Sequence, residues 1–139
     1  MIIDNSKAIA DGLKLFINSN SYSRYRLEDI NTYLILPIYN NRIRIFYQEE
    51  KPIGLITWCW LTKEKANKFL QYKYDPVEED YKDTEINNKQ LWCLDFISTK
   101  GKAKQMITSV RKEHAKLYGK NKVHWRRFSN PTKEHKKEF

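Results

Sequence analysis

The segment Leu91–Ile97 constrains the fold of this chain more than any other, because six of its residues are apolar and the seventh is Asp95. An apolar run of this length predicts a buried strand. Alternate side chains of a strand share a face, so we expect Asp95 on the same face as Leu91, Cys93 and Ile97. An ionised carboxylate there costs several kcal/mol unless it is paired. Asp95 is therefore predicted to have a partner or a chemical role.

Size and composition favour one domain. The chain has 139 residues, 40% hydrophobic and 14% aromatic, which suffices for one core and hardly for two. We assign residues 1–129 to a single domain and residues 130–139 to a charged C-terminal tail. The sequence shows no membrane-spanning run and no signal peptide, so a cytoplasmic location is expected. Cys59 and Cys93 fall in predicted strands as small apolar side chains, and no disulfide is required.

Positive charge is concentrated at the C-terminal end. From Lys100 onward there are thirteen Lys and Arg residues against three Asp and Glu, whereas the whole chain has a net charge of +9. Such a segment attracts polyanions, among them nucleic acid, an acidic protein surface or a phosphorylated cofactor. The plainer interpretation is a solvated helix face followed by a frayed tail.

Hydrophobic periodicity predicts the order α-α-β-β-α-β-α-β, a mixed α/β layout with a mainly antiparallel central sheet flanked by helices. The first predicted helix is capped at Asn5-Ser6, and its apolar face carries Ile9, Leu13, Phe16 and Ile17. A short second helix carries Leu27, Ile30 and Leu34 and is ended by Pro37. A hairpin of strands 42–47 and 53–60 follows. The others are a helix over 63–72 capped by Thr62, the strand 91–97, a helix over 103–118 ended by Gly119, and a strand over 123–128.

Several segments together resemble the toxin-activating lysine acyltransferases. They are Leu36-Pro37, Arg42 to Tyr47, Lys51 to Trp58, Leu61 to Glu64 and Leu91 to Ile97, in matching order and spacing from about Tyr22 to Phe128. The resemblance implies an acetyltransferase (GNAT)-like fold without a tightly bound cofactor. It also implies transfer of a fatty acyl group from acyl carrier protein to internal lysines of a secreted pore-forming toxin.

The resemblance assigns catalysis to two positions. Asp95 matches the catalytic aspartate of the family, and the position of the family's catalytic histidine holds Ser23. A serine hydroxyl cannot replace imidazole as a base unaided, although Asp95 alone serves if desolvation raises its pKa. We therefore take Asp95 and Ser23 as candidate catalytic residues, with Ser23 as an acceptor, a hydrogen-bond donor or a relic. The three histidines, His114, His124 and His135, are all C-terminal.

Other side chains are candidates for binding. Trp58 is one of four tryptophans suited to an acyl or aromatic groove, although core packing is the default for aromatic strand residues. Arg126 and Arg127 lie in the basic segment and are candidates for docking acyl carrier protein or an acidic precursor peptide or toxin. No Cys/His cluster has the spacing of a metal site.

Three alternatives remain open. Proteins resembling this family also join a glycosylated catechol siderophore to the C-terminal serine of a microcin, together with a second maturation protein, and a site without its histidine suits that branch. A pseudoenzyme that supports an active subunit is a further interpretation of the missing histidine, and a homodimer is a further candidate assembly. The basic and aromatic residues of 123–128 also fit a non-catalytic single-stranded nucleic-acid surface, although they form no recognised nucleic-acid motif, so we do not expect nucleic acid as the partner.

Overall fold

The computed structural model describes residues 4–20, 22–99 and 101–126, together with the backbone of residues 134–138. The helices are α1 (Asn5–Ile17), α2 (Leu27–Ile30), α3 (Leu36–Tyr39), α4 (Lys63–Leu70) and α5 (Ala103–Tyr118). A π-helical turn, Asn31–Ile35, joins α2 to α3, and two 3₁₀ turns, Glu78–Tyr81 and Ile86–Asn88, follow α4. The strands are β1 (Ile43–Gln48), β2 (Lys51–Leu61), β3 (Gln90–Ser98), β4 (Lys122–Arg126) and β5 (Glu134–Glu138).

The sheet has the order β1-β2-β3-β4-β5, and its neighbouring strands are antiparallel except for the parallel pair β3 and β4. This confirms the predicted mixed, mainly antiparallel sheet flanked by helices, and it is compatible with the acetyltransferase-like layout. Glu49 and Glu50 form the two-residue turn of the β1–β2 hairpin with φ of 50° and 67°, the left-handed conformation that tight hairpins use. Residues 134–138 of the predicted tail form a strand beside β4.

The N-terminal helices differ from the prediction in detail. Asp4, and not Asn5-Ser6, caps α1, since its Oδ1 accepts a hydrogen bond from the Lys7 N–H at 2.8 Å. Leu15 and Phe16 are buried, but Ile17 is 69% exposed because it lies at the end of α1 and off its packed face. Leu27 is 90% exposed at the first position of α2, so its predicted place in the apolar stripe is wrong.

Pro37 does not end the second helical region, contrary to the sequence prediction. The π-helical turn shifts the backbone hydrogen bonds, and Pro37 falls in the first turn of α3, which continues to Tyr39. A proline is tolerated in the first turn of a helix because its missing N–H has no partner to lose there.

Two layers of side chains pack on the sheet. On one face, α5 covers a cluster that includes Trp60, Leu91, Val123 and Tyr118. The opposite face is covered by α1, the α2–α3 region and α4, whose apolar residues include Phe16, Leu34 and Phe69; they pack with the strand residues Leu55, Cys59, Trp92 and Ile97. Gly54 lets α5 approach the sheet, because a Cβ at this position would clash with Met106.

A β-bulge interrupts the pairing of β2 with β3. Ile56 pairs with Phe96 and Trp58 pairs with Cys93, so two residues, Leu94 and Asp95, lie opposite the single residue Thr57. The bulge breaks the alternation of side chains along β3. Leu91 and Cys93 belong to the cluster under α5, whereas Ile97 packs on the opposite face.

Candidate functional site

Asp95 lies in the bulge and faces the N-terminal helices. Its side chain meets Tyr25, so the predicted common face with Ile97 is right and that with Leu91 and Cys93 is wrong. The extra residue of the bulge turns Asp95 away from the α5 face. The Asp95 N–H, which the bulge removes from the strand ladder, donates to Thr57 Oγ1 at 3.1 Å.

The two carboxylate oxygens of Asp95 have different surroundings. Oδ1 accepts a hydrogen bond from the Tyr25 hydroxyl at 2.8 Å. Oδ2 is buried and has no hydrogen-bond partner among the described residues. The whole residue is only 1% exposed. A buried polar atom without a partner is rare, and a catalytic role is one of the few reasons for it.

Burial raises the pKa of Asp95 from 3.8 to about 7, against the lowering effects of the Tyr25 hydrogen bond and the Arg126 charge. Desolvation disfavours the ionised form, and the remaining interactions only partly restore it. A carboxylate with this pKa both accepts and releases a proton near neutral pH, as a general base requires. Asp95 thus combines nearly complete burial with a pKa near neutrality.

Three tyrosines surround the carboxylate on the helix side. Tyr25 packs edge-on against Tyr22 with ring centroids 5.6 Å apart and stacks on Tyr33 at 5.4 Å. Tyr33 donates to Asp75 at 2.7 Å, and the Tyr22 oxygen accepts from the Phe96 N–H at 3.4 Å. Burial raises the pKa of all three phenols, so they remain neutral at physiological pH.

Arg126 lies on the same side of the sheet. Its guanidinium carbon is 3.9 Å from the ring centroid of Phe69 and 3.8 Å from that of Tyr72, and Nη1 donates to the Phe69 carbonyl at 2.6 Å. The Arg126 charge acts on Asp95 by lowering its pKa. The predicted binding residue is therefore near the candidate site, although its head group already has protein contacts. Arg127 lies outside the described residues.

The other two candidate residues are placed apart from the carboxylate. Ser23 is exposed in the turn between α1 and α2, and the residue of this turn that reaches Asp95 is Tyr25. Trp58 pairs with Cys93 on the α5 face, so the sheet separates it from Asp95. Trp58 lines a cleft of about 380 Å³ at β1 and α5, together with Val110, His114 and Tyr118.

The described histidines do not fill the position of the missing one. His124 is 6% exposed and stacks on Trp92 with ring centroids 5.3 Å apart. His114 belongs to α5 and packs near Trp60, and burial lowers its pKa to about 4. Within residues 4–126, less the two gaps in the described ranges, no helix is long and apolar enough to cross a membrane, and no cluster of three or more His, Cys, Asp or Glu side chains is arranged to hold a metal ion.

Tyr25 and Thr57 were missed by sequence reasoning. Both act through a long-range contact, since 70 residues separate Tyr25 from Asp95 and 38 residues separate Thr57 from it. The only local indication in the sequence is that the tyrosines Tyr22 and Tyr25 flank the segment Ser23-Arg24.

Comparison with known proteins gives two findings. A family model, described as the RTX toxin acyltransferase family, matches residues 2–137. An uncharacterized protein of Synechocystis sp. is 25% identical over 95 residues, which is 67% of this chain and 62% of that protein. The chain thus matches less than two thirds of the length of that relative.

Proposed function

Because the chain belongs to the RTX toxin acyltransferase family, we propose that it transfers a fatty acyl group from acyl carrier protein to lysine side chains of a protein toxin, with Asp95 as general base. The observation that supports this most is the buried carboxylate with a pKa of about 7 and a free Oδ2. We place the reaction in the cytoplasm, before export of the toxin.

The proposed chemistry is aminolysis of a thioester. A lysine ammonium has an ordinary pKa near 10.4 and must lose a proton before its nitrogen attacks. That first proton passes to solvent, and Asp95 Oδ2 then accepts a second proton from the attacking nitrogen as the new C–N bond forms. The C–S bond then breaks, and the carrier thiol leaves with the proton that Asp95 returns. The carboxylate ends the cycle in its starting form.

Access to the carboxylate is part of the proposal. Since Asp95 is 1% exposed, the acceptor amine must open a path to Oδ2 when it binds. A site closed in this way excludes water, which would otherwise hydrolyse the thioester.

Asp95→Asn tests the proposal because it keeps the shape of the side chain and removes the base. We expect loss of toxin acylation, measured by mass spectrometry of toxin lysines after co-expression with each variant. Asp11→Asn is a matched control, since Asp11 is also a buried aspartate that accepts a tyrosine hydrogen bond, from Tyr47 at 2.5 Å, but on α1. A folded Asp95→Asn protein that acylates lysine as fast as the wild type would refute the assignment.

A second acceptor is favoured by one observation, the serine at the position of the family histidine. If the site has been rebuilt for a hydroxyl, the acceptor is the C-terminal serine of a microcin, the donor is a siderophore conjugate, and a second maturation protein takes part. The same mass spectra decide between the two, because a modified lysine and a modified C-terminal serine give different fragments.

A further inference from the structure

The turn between α1 and α2 holds both Ser23, the partner of Asp95 that the resemblance predicts, and Tyr25, the residue that contacts Asp95 in the structure. Ser23 and Tyr25 lie two residues apart between α1 and α2, yet Ser23 is exposed and Tyr25 reaches the carboxylate. The Tyr25 hydroxyl donates to Oδ1 at 2.8 Å and leaves Oδ2 without a partner among the described residues.

The Tyr25 ring packs against three other aromatic rings. Its centroid lies 5.4 Å from that of Phe16, 5.6 Å from that of Tyr22 and 5.4 Å from that of Tyr33. Edge-on and stacked aromatic contacts of this kind fix the plane and position of a ring. The phenol therefore approaches Asp95 from a fixed direction.

We propose that Tyr25 is the positioning residue of the reaction, whose phenol ties down Oδ1 of Asp95 so that Oδ2 is the oxygen that accepts the proton. This inference rests on the proposed function. Burial and the nearby Asp95 charge raise the pKa of Tyr25, so its hydroxyl stays protonated and acts as a donor, never as the base itself.

The hydrogen bond has a second effect on the base. A donor to the ionised form favours that form, and the Tyr25 hydroxyl lowers the pKa of Asp95 against the effect of burial. Without this donor, a larger fraction of Asp95 is protonated at neutral pH and unable to accept a proton.

Tyr25→Phe removes the hydroxyl and keeps the ring. We expect the pKa of Asp95 to rise by about one unit, because the free energy of a hydrogen bond to a charged group corresponds to a pKa change of at least this size. Acylation at saturating toxin then falls about tenfold at pH 6 and about fivefold at pH 7 relative to wild type, and by less than about twofold at pH 8.5. KM for the toxin stays unchanged. Recovery at high pH also shows that the variant is folded.

Tyr47→Phe is the matched control, since it removes another phenol–carboxylate hydrogen bond, to Asp11 at 2.5 Å. Its pH profile should coincide with that of the wild type. A general loss of stability would lower activity at every pH, in contrast to the pH-dependent loss expected for Tyr25→Phe.

A titration of the ¹³C-labelled Asp95 carboxyl by NMR distinguishes a failure of the proposed role of Tyr25 from a failure of the proposed function. If neither this titration nor the pH profile moves in Tyr25→Phe while Asp95→Asn is inactive, the role of Tyr25 is refuted and the proposed function stands. If the titration moves but Asp95→Asn acylates at the wild-type rate, the proposed function is refuted and the positioning role with it. Movement of both, with inactive Asp95→Asn, supports the inference.

Discussion

At the residue scale, Asp95 connects the chemistry of the site to the stability of the fold. Its pKa is 3.8 in an ordinary setting and about 7 in the folded chain. Between these values the folded chain holds a proton that the unfolded chain has lost, so the free energy of unfolding falls as the pH rises from about 4 to 7. Above pH 7 the folded protein holds a buried ionised carboxylate, which is the active form of the proposed base.

The substitution Asp95→Asn therefore has a pH-dependent effect on stability. The amide is uncharged at every pH, so the free energy of unfolding of the variant, relative to wild type, should increase by about 3 kcal/mol between pH 4.5 and pH 8. His114 and Asp11 also titrate abnormally, but they are present in both proteins and cancel. Urea unfolding at both pH values gives the difference. A difference that stays constant with pH would contradict the burial of an ionisable Asp95.

The replaced histidine leads to a prediction about position 23. We expect Ser23→His not to raise lysine acylation, because Tyr25 already occupies Oδ1 of Asp95. The double variant Ser23→His, Tyr25→Phe frees Oδ1 for an imidazole and should be more active than Tyr25→Phe alone. Mass spectrometry of the co-expressed toxin measures both. A rise of about a hundredfold or more in the single variant, the low end of what a general base typically contributes (~10²–10⁴-fold), would show that a histidine at position 23 can still act as the base of this site.

At the element scale, the bulge in β3 decides which face Asp95 meets. Its two residues, Leu94 and Asp95, lie opposite Thr57. The Thr57 hydroxyl accepts a hydrogen bond from the Asp95 N–H, which the bulge leaves out of the strand ladder. Thr57 is fully buried at 0% exposure, so water cannot take over this role. The hydroxyl thus stabilises the bulge and with it the direction of the carboxylate.

Thr57→Val keeps the shape of the side chain and removes that acceptor. We expect a loss of about 1–3 kcal/mol in the free energy of unfolding, since a buried amide is left without a partner. Thr57→Ser should retain most of the stability because the oxygen remains. Thr108→Val on the exposed side of α5 is the control and should change stability by less than about 0.5 kcal/mol. Equal stability of the Val and Thr proteins in chemical denaturation would argue against the role of Thr57.

Most elements were predictable because their signals are local. The cap at Thr62, the helix Ala103–Tyr118 with Gly119 at its end, and the hairpin all follow the sequence prediction. The bulge and the π-helical turn were not predicted, because each depends on how a segment packs against distant residues. The strand β5 was missed because all its residues are charged or histidine, a composition typical of a solvated tail.

The candidate site was predictable only in part, for the same physical reason. An aspartate in an apolar run is visible in the sequence, and its burial follows from the run. The partner of that aspartate is not visible, because Tyr25 reaches it across 70 residues of sequence. The family resemblance predicts residue 23, here a serine, as the partner of Asp95, whereas in the fold the Tyr25 hydroxyl contacts the carboxylate.

At the scale of the whole molecule, the two sides of the sheet differ in character. The tyrosines around Asp95 lie on the side of the N-terminal helices, and α5 covers the other side. The exposed face of α5 is basic: it includes Lys104, Arg111, Lys112 and Lys116, whereas its acidic residue, Glu113, pairs with Arg44. A partner bound to this face would leave the helices around Asp95 uncovered, so an acyl group that it carries must extend past the edge of the sheet to reach the carboxylate.

We expect this basic face of α5 to dock the acidic partner, acyl carrier protein, by electrostatic attraction. Complementary charge raises the association rate and is screened by salt, so affinity should fall as the ionic strength increases. Arg126 is a poor probe of docking, because its guanidinium is held by Phe69 and Tyr72 and its loss would disturb the fold. Residues on the exposed face of α5 are the sharper test.

The triple variant Arg111→Glu, Lys112→Glu, Lys116→Glu should lower the affinity for labelled carrier protein by about tenfold or more at low salt, measured by fluorescence anisotropy. Its matched control changes the net charge equally at three exposed lysines elsewhere, Lys51, Lys63 and Lys73. The control should bind nearly as well as wild type, because a local surface and not the total charge is what the partner meets. At high salt the two variants and the wild type should converge, since screening removes the interaction that distinguishes them. Equal losses in both variants would show that net charge alone attracts the carrier, and binding insensitive to salt would exclude the basic face as its docking surface.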